Sequence, residues 1–455
     1  MKVKVRIAPS PTGFLHIGTA QSALYNWLFA HKNGGEFHLR IEDTDKERST
    51  KEYEQSILDA LEWLGLKWDG KVVRQSENTA KYREVLEQLL SEGKVFYCHH
   101  TKDELEAERQ AQEGEKVPPQ HVCNHKDSEK GTTPGGIIRL AVTRDADSTV
   151  SFEDEIRGHI EFKTSLLGDF SIAKSLDEPL YNFAVVVDDA DMEITHVIRG
   201  EDHISNTPKQ ILIYEALGLA VPKFAHLPLI LGSDKSKLSK RHGNTAAIGY
   251  KKDYLPEAVI NFLGTLSHTF SKEIMTKKEM IEEFEFSKVH KSGAVFDVKK
   301  LNWINSQWVK NLDPAIFWKI MNVIPGFSLS DDDTTLITER LERLSDAQEF
   351  SYFWKEPEYD KELLKWKKAD LDKSIETLTE VKKIIDDFDF EKGKDGLRKV
   401  LDEFSVKVGD KGLVYWPFRV ALTGREKSPD PVDIAFVLGK EKTLERVEKA
   451  ARLSS

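Results

Sequence analysis

The chain has 455 residues, 39% of them hydrophobic and 31% charged, enough for roughly two to four domains with proper cores. It holds no apolar run of about 18 residues, which argues against a membrane span, and its two cysteines cannot form a disulfide framework, so a reducing cytoplasm is its expected home. A net charge of −11 disfavours non-specific binding along RNA or DNA, while leaving room for a basic face on an acidic body.

Val3, Val5 and Ile7 alternate with Lys2, Lys4 and Arg6, the period of a strand and not of a signal peptide. A proline- and glycine-punctuated turn over 9–18 follows and sets His16 at the mouth of a helix over 20–33, where Ala20, Leu24, Trp27 and Leu28 recur at helical spacing. Gly34-Gly35 ends that helix. Phe37, Leu39 and Ile41 alternate again, and 51–64 reads as a second helix. Strand, helix, strand, helix opens a doubly wound parallel sheet of the α/β class. Its ligands lie at the carboxyl ends of the strands, where 10–18 and Glu42-Asp43 fall.

From about 97 to 183 the pattern changes. Pro118-Pro119, the glycines from Gly131 to Gly136 and the short runs GIIRLAV, STVSFED and HIEFK predict an inserted α+β unit. The parallel pattern returns with strands expected over 182–189 and 195–199, then a helix over 208–217. Lys237-Leu238-Ser239-Lys240-Arg241 reads as a flexible cationic loop. Beyond Pro325 the chain becomes mostly helical.

A helix N-terminus and a mobile ammonium are two devices that hold a nucleotide triphosphate without covalent chemistry. Gly13 and Gly18 allow close backbone approach, His16 can donate to a phosphate, and Lys240, flanked by Lys237 and Arg241, adds mobile positive charge. Alone, an H-x-G is weak and a K-x-S-K-R run is more often a solvated basic loop. With a parallel sheet between them they point to an ATP-using enzyme.

APSPTGFLHIGTA, RIEDTD at 40–45, VIRGEDH at 197–203 and KLSKRHG at 237–243 resemble the bacterial glutamyl-tRNA synthetases of class I. The likeness runs nearly the whole length, through SGAVFDVKKLNWIN at 292–305 and YWPFRVALTGREKSP at 415–429. Thr19 stands where many class I enzymes carry a second histidine, and Leu238 where the lysine loop often has methionine. The resemblance implies a Rossmann-like catalytic domain of 1–96 and 184–245. Next come an inserted acceptor-binding unit of 97–183, a stem-contact region of 246–324 and an all-α anticodon-binding region of 325–455. It implies ATP with Mg2+, activation of L-glutamate to glutamyl-adenylate, and transfer to the terminal adenosine of tRNA-Glu by a cytoplasmic monomer. Whether tRNA-Gln is also charged stays open.

Glutamate must be recognised at an ammonium and two carboxylates, and arginine forks suit carboxylates. By resemblance, Arg6 takes the γ-carboxylate with Tyr181 alongside, Arg199 is a second cation of the site, Glu42 holds the ammonium and Ser10 adds a polar contact. Val185 sits where some relatives carry asparagine. Cys98-His99-His100 and Cys123-Asn124-His125 form two C-x-H pairs, whose donors suit tetrahedral zinc. Buried apolar cysteines with surface histidines are the other reading. The resemblance places a structural Zn2+ on Cys98, His100, Cys123 and His125, with His99 and His121 as competitors.

In the helical half, Trp354, Trp366 and Trp416 with Lys365, Lys367, Lys368, Lys382 and Lys383 could stack on bases and hold phosphates. An aromatic core with solvated lysine faces is the plainer account. Glutaminyl-tRNA synthetases end in strand-rich barrels, against the helices expected here, and the shorter glutamyl-queuosine enzymes lack this half. A cofactor-forming nucleotidyltransferase and a non-catalytic RNA-binding paralogue are the remaining alternatives. Intact His16, Lys240 and Arg199 speak against the second.

Overall fold

The computed structural model describes residues 2–116, 120–142, 148–243, 245–324, 326–367 and 369–454. Pro118-Pro119, Pro325 and Lys368 fall outside these, as does the side chain of Lys240. The chain divides into two compact units, Met1–Lys251 with Pro256–Ile304 and Lys252–Leu255 with Asn305–Ser455.

In the first unit β1 (Lys4–Ile7) leads through α1 (Ile17–Lys32) to β2 (Glu36–Ile41), and α2 (Lys51–Trp63) leads to the short β3 (Val73–Arg74). Both β1–β2 and β2–β3 pair in parallel. After α3 (Thr79–Ser91) come β4 (Val95–Cys98), α4 (Lys102–Gly114), the single turn α5 (Glu129–Thr132), β5 (Ile137–Leu140), β6 (Thr149–Asp154), β7 (Gly158–Lys163), β8 (Ser171–Ser175) and β9 (Glu178–Pro179). Then α6 (Tyr181–Asp191), β10 (His196–Gly200), α7 (Thr207–Leu217) and β11 (Lys223–Leu227) follow. β10 and β11 are parallel. β1 lies beside β10, tied by the Thr195 N–H to the Lys4 carbonyl at 3.0 Å. The order is therefore β3-β2-β1, then β10-β11-β6-β7. β1 and β10 are the strands at which chain order reverses, and doubly wound sheets bind ligands beyond the carboxyl ends of such a pair.

The strands of 97–183 are shared between two sheets. β4, β5, β8 and β9 form an antiparallel sheet of their own, whereas β6 and β7 extend the parallel one through β11.

The strand expected over 182–189 is instead the helix α6. Phe183, Ala184, Val185, Val186, Val187, Asp188 and Asp189 are all buried. A helix wrapped on every side shows no polar face and reads like an apolar strand. Its Phe183, Val186 and Val187 pack with Tyr82 and Leu86 of α3, Ile172 of β8 and Ile213 of α7. The remaining helices of this unit include α8 (Pro256–Leu266) and α9 (Lys277–Glu283).

The second unit is helical, with its principal helices at Pro314–Met321, Asp331–Thr338, Leu371–Asp387, Gly393–Val408, Lys411–Thr423, Pro431–Leu438 and Lys440–Ala451. The expected helix beyond 338 is 3-10 over Leu344–Phe353. Arg446 is buried among these elements and donates to the carbonyls of Leu422 and Tyr352 at 2.6 and 2.8 Å. It fastens the helix Lys440–Ala451 through backbone acceptors. No helix among the described residues is long and apolar enough to cross a membrane.

Candidate active site

His16 is the N-cap of α1. Its backbone is extended (φ −70°, ψ 143°) and its Nδ1 accepts the Gly18 N–H at 3.0 Å, so an imidazole does the work Ser or Asp does at most helix starts. Burial, with Lys237 nearby, holds the ring's pKa below the usual histidine value against the pull of the Leu238 carbonyl. With Nδ1 accepting, the neutral ring carries its proton on Nε2. A β-bridge joins His16 to Ala246, flanked by the Ile17 N–H to the Thr245 carbonyl and the Ala247 N–H to the Leu15 carbonyl, both 2.8 Å. The two sequence motifs thus meet at one helix mouth.

The cationic loop differs from expectation. Lys237 Nζ lies 2.6 Å from Asp202 Oδ2. Arg241 donates to Ser236 Oγ at 2.6 Å and to Asp234 Oδ2 at 3.3 Å. Both cations are held by carboxylates: the loop's own turn sets Asp234 and Ser236 beside Arg241, and Asp202, after β10, meets Lys237. Burial would raise the Asp202 carboxyl, yet the Lys237 bond and His203 hold it below its usual range.

A cleft of about 680 Å³ opens at the ends of β1 and β10 and brings together Arg6, Ser10, Gly13, His16, Gly18, Glu42, Tyr181, Arg199 and Lys237. Arg241 is outside its lining. Arg6 is buried and spends its Nε–Nη2 edge on Asp189, at 2.9 and 3.1 Å. Its Nη1–Nη2 edge is what remains for a ligand carboxylate. Arg40, fully buried, bridges Asp189 and Glu42 at 2.5 and 3.1 Å. Burial raises the Glu42 carboxyl above the usual range, with Arg40 and Arg6 pulling against it. Asp189 feels the same burial but is held low by Arg40 and Arg6, each bonded to it.

Arg199 is different, since no acid among the described residues pairs with it. Its Nε approaches His226 Nε2 at 3.3 Å, its Nη2 donates to Thr207 Oγ1 at 2.8 Å, and its buried Nη1 has no hydrogen-bond partner among the described residues. Burial lowers its pKa. A guanidinium buried without a carboxylate is costly, and a ligand anion is what would relieve it. Tyr181 Oη meets His203 Nδ1 at 3.0 Å next to it, and burial with Arg199 pushes His203 down to about 4. Val185 is buried within α6.

Around the two C-x-H pairs, Cys98, His100, His121 and Cys123 bring one donor atom each to within 4.8 Å of one another. Cys98 Sγ lies 3.4 Å from His100 Nδ1 and 3.5 Å from His121 Nε2, and Cys123 Sγ 3.6 Å from His100 Nδ1. Tetrahedral zinc with ordinary Zn–S and Zn–N bonds has ligand–ligand edges of about 3.3–3.8 Å, so this set fits the ion. His125 does not belong to it. Its Nδ1 accepts the His99 N–H at 3.1 Å and its ring stacks on His100 at 4.3 Å. His99 Nε2 faces the carbonyls of Lys130 and Thr133. Glu108, 2.5 Å from His121 Nδ1, fixes the tautomer in which Nε2, 3.5 Å from Cys98 Sγ, carries no proton.

The tryptophans singled out in the helical half are half-buried and bonded inward. Trp416 Nε1 donates to the Leu363 carbonyl at 2.8 Å, Trp366 Nε1 to Asp410 at 3.1 Å, and Trp354 packs edge-on to Trp318. Lys382 and Lys383 pair with Glu448 and Glu380.

The sequence reading passed over Arg40, Asp189, Asp202, His203 and His226. Four of these lie inside or beside motifs it quoted, RIEDTD, VIRGEDH and the Val-rich run before Asp188-Asp189. For His226 the only signal was a histidine inside an apolar strand.

Residues 2–303 match the family of class I tRNA synthetases (E and Q), catalytic domain, and residues 294–451 an anticodon binding domain. The chain is 42% identical over 481 residues to glutamate–tRNA ligase 2 of Thermoanaerobacter pseudethanolicus, covering 99% of this chain and 98% of the relative. It is 40% identical to the glutamate–tRNA ligase of Heliobacterium modesticaldum, covering 99% and 97%. The structure of a glutamate tRNA ligase from Elizabethkingia meningosepticum in complex with its amino acid superposes with a TM-score of 0.85 at 32% identity, over 100% of both chains. A glutamate–tRNA synthetase from Elizabethkingia anophelis gives 0.82 at 32%, over 99% of this chain and 100% of the other.

Proposed function

The chain belongs to the class I tRNA synthetases of the glutamate and glutamine type, and we propose that its cleft performs their ATP-dependent reaction as follows. As a glutamate–tRNA ligase, the enzyme joins glutamate to tRNA at the expense of ATP. ATP lies across the mouth of α1, where Gly13 and Gly18 admit the nucleotide and His16 Nε2–H donates to a phosphate. Lys237 and Arg241 leave their acidic partners to meet the triphosphate together with Lys240, and Ser10 adds a polar contact. Mg2+ enters with ATP as part of the substrate, held mainly by phosphate oxygens and water.

L-Glutamate lies between the ends of β1 and β10. Arg6 takes the γ-carboxylate with Tyr181, Arg199 meets a second carboxylate oxygen, and Glu42 holds the ammonium. The α-carboxylate attacks the α-phosphate and pyrophosphate leaves; a hydroxyl of the terminal tRNA adenosine then attacks the carbonyl carbon of the mixed anhydride, forming the ester as AMP leaves. No side chain forms a covalent bond. Positioning and preorganised charge carry the step. Glutamine would leave an arginine unmatched and is rejected on that ground.

The carrying observation is Arg199, a buried guanidinium that lines the same cleft as the His16-capped helix and whose Nη1 has no hydrogen-bond partner among the described residues. Residues 1–96 and 184–245 form the catalytic domain. Residues 97–183 meet the acceptor end, 246–324 the stem and 325–455 the anticodon, in a cytoplasmic monomer. A structural Zn2+ on Cys98, His100, His121 and Cys123 braces the acceptor-binding unit. Charging purified tRNA-Glu and tRNA-Gln transcripts with labelled glutamate tests the reading and its range. Failure to charge tRNA-Glu would overturn it.

A further inference from the structure

The Arg199 side chain does not stand alone. Arg199 and His226 are register partners on the parallel strands β10 and β11, and Asp154 ends β6, the next strand over. Asp154 is in register with Phe224, two residues before His226, and reaches the histidine through its side chain. His226 and Asp154 have no exposed side-chain surface, and His226 Nδ1 lies 2.6 Å from Asp154 Oδ2. Asp154 Oδ1 accepts the N–H groups of Ile156 and Arg157 at 3.0 and 2.8 Å, and Oδ2 the backbone N–H of His226 at 3.0 Å.

A carboxylate with this many donors is ionised and can only accept, so Nδ1 of His226 carries the ring proton. That leaves Nε2 as a lone pair. It faces two donors, Arg199 Nε at 3.3 Å and Thr207 Oγ1 at 3.0 Å. Thr207 in turn accepts Arg199 Nη2 at 2.8 Å. Two of the three guanidinium nitrogens are thus held by neutral acceptors, and Nη1 is the one left over. A carboxylate in place of the imidazole would neutralise the arginine. A neutral acceptor orients it and leaves its charge to a ligand.

We propose that His226, oriented by Asp154, is a positioning residue that fixes the Arg199 guanidinium so that its Nη1 is kept for a carboxylate of glutamate. The proposal rests on the reading of Arg199 as a glutamate partner. It makes the hydrogen-bond polarity of His226 Nε2, and not merely the volume of the ring, matter to amino-acid binding.

The test compares His226→Asn, His226→Gln, Asp154→Asn and Arg199→Ala, measuring KM for glutamate and for ATP in tRNA-dependent pyrophosphate exchange. Asn keeps a donor near the Nδ1 position but has no acceptor at Nε2, while Gln can place its amide oxygen there. In D154N the backbone donors to Oδ1 force the amide nitrogen toward His226, so the ring shifts its proton to Nε2 and meets Arg199 donor to donor. H226N and D154N should raise the glutamate KM about ten-fold, the value of one hydrogen bond to a charged group, with the ATP KM changed less than about two-fold. H226Q should restore most of the loss.

An unchanged glutamate KM in H226N, parallel rises for both substrates, or no rescue by glutamine would overturn the positioning role. If H226N does not fold, D154N against H226Q gives the same contrast. R199A separates the two ideas. If it leaves the glutamate KM unchanged, the reading of Arg199 fails. If it raises it while H226N and D154N do not, only the positioning fails.

Discussion

The Arg6 guanidinium and the Asp189 carboxylate, on β1 and α6, form a two-point pair of 2.9 and 3.1 Å inside the protein. The same carboxylate also holds Arg40. Asp189 is therefore shared by two buried arginines, one of which lines the cleft, while Glu42 supplies a further charge to Arg40. Removing one partner of a buried pair strands the other's charge, at a cost of about 3–5 kcal/mol. Asp189→Ala should lose stability of that order in urea unfolding at neutral pH. The sign with pH follows from the depressed carboxyl of folded Asp189. Its stabilisation is present above the unfolded value of about 3.9 and is lost as pH falls through the lower folded value. The gap between wild type and variant should narrow in acid.

Glu42 behaves oppositely although it shares Arg40. Burial raises its carboxyl, so in the free enzyme it takes a proton at a higher pH than an ordinary glutamate, about 4.3. A protonated Glu42 cannot hold an ammonium. The kcat/KM for glutamate should fall on the acid side, beginning above that value, while kcat/KM for ATP is less affected. Glu42→Gln should lower kcat/KM for glutamate and flatten this limb. A limb unchanged in E42Q would remove Glu42 from the ammonium site.

His16 has two separable tasks. Nδ1 caps α1 through Gly18, and Nε2–H faces the nucleotide in the proposed arrangement. Asparagine is a good N-cap but is too short to place a donor where Nε2 stands. His16→Asn should keep its thermal midpoint near that of wild type while adenylate formation falls about 10²–10³-fold, the usual value of one preorganised donor. A variant that loses stability and activity together would mark His16 as a cap only.

The parts of this architecture that sequence reveals are those with a regular period or a local motif. Val3, Val5 and Ile7 mark β1 because one face of the strand is polar, and His16 announces a helix mouth by standing before a glycine. The α6 helix escaped because Val185, Val186 and Val187 are all buried and no period survives. The set Asp154–His226–Arg199 escaped for another reason. Its members meet only through strand pairing between segments as far as 72 residues apart, which no local window contains.

At the candidate metal cluster the donor atoms that converge differ from those the spacing offers. Two C-x-H pairs invite His100 and His125 as equivalent ligands, but Cys123 is followed by a 3-10 turn, Asn124–Asp127, that carries His125 past the sulfurs and stacks it on His100. His121 approaches from the other side of Cys123, with Glu108 setting its tautomer. Metal content of the purified protein should therefore fall from one zinc per chain to near none in His121→Ala and stay near one in His125→Ala. Glu108→Gln, which removes only the carboxylate behind His121, should weaken zinc about 10–100-fold in chelator competition. Burial pushes the Cys123 thiol up to about 11, so the metal must displace a proton to bind, and its affinity should drop as pH falls. Equal loss of zinc from the His121 and His125 variants would restore the pairwise C-x-H assignment.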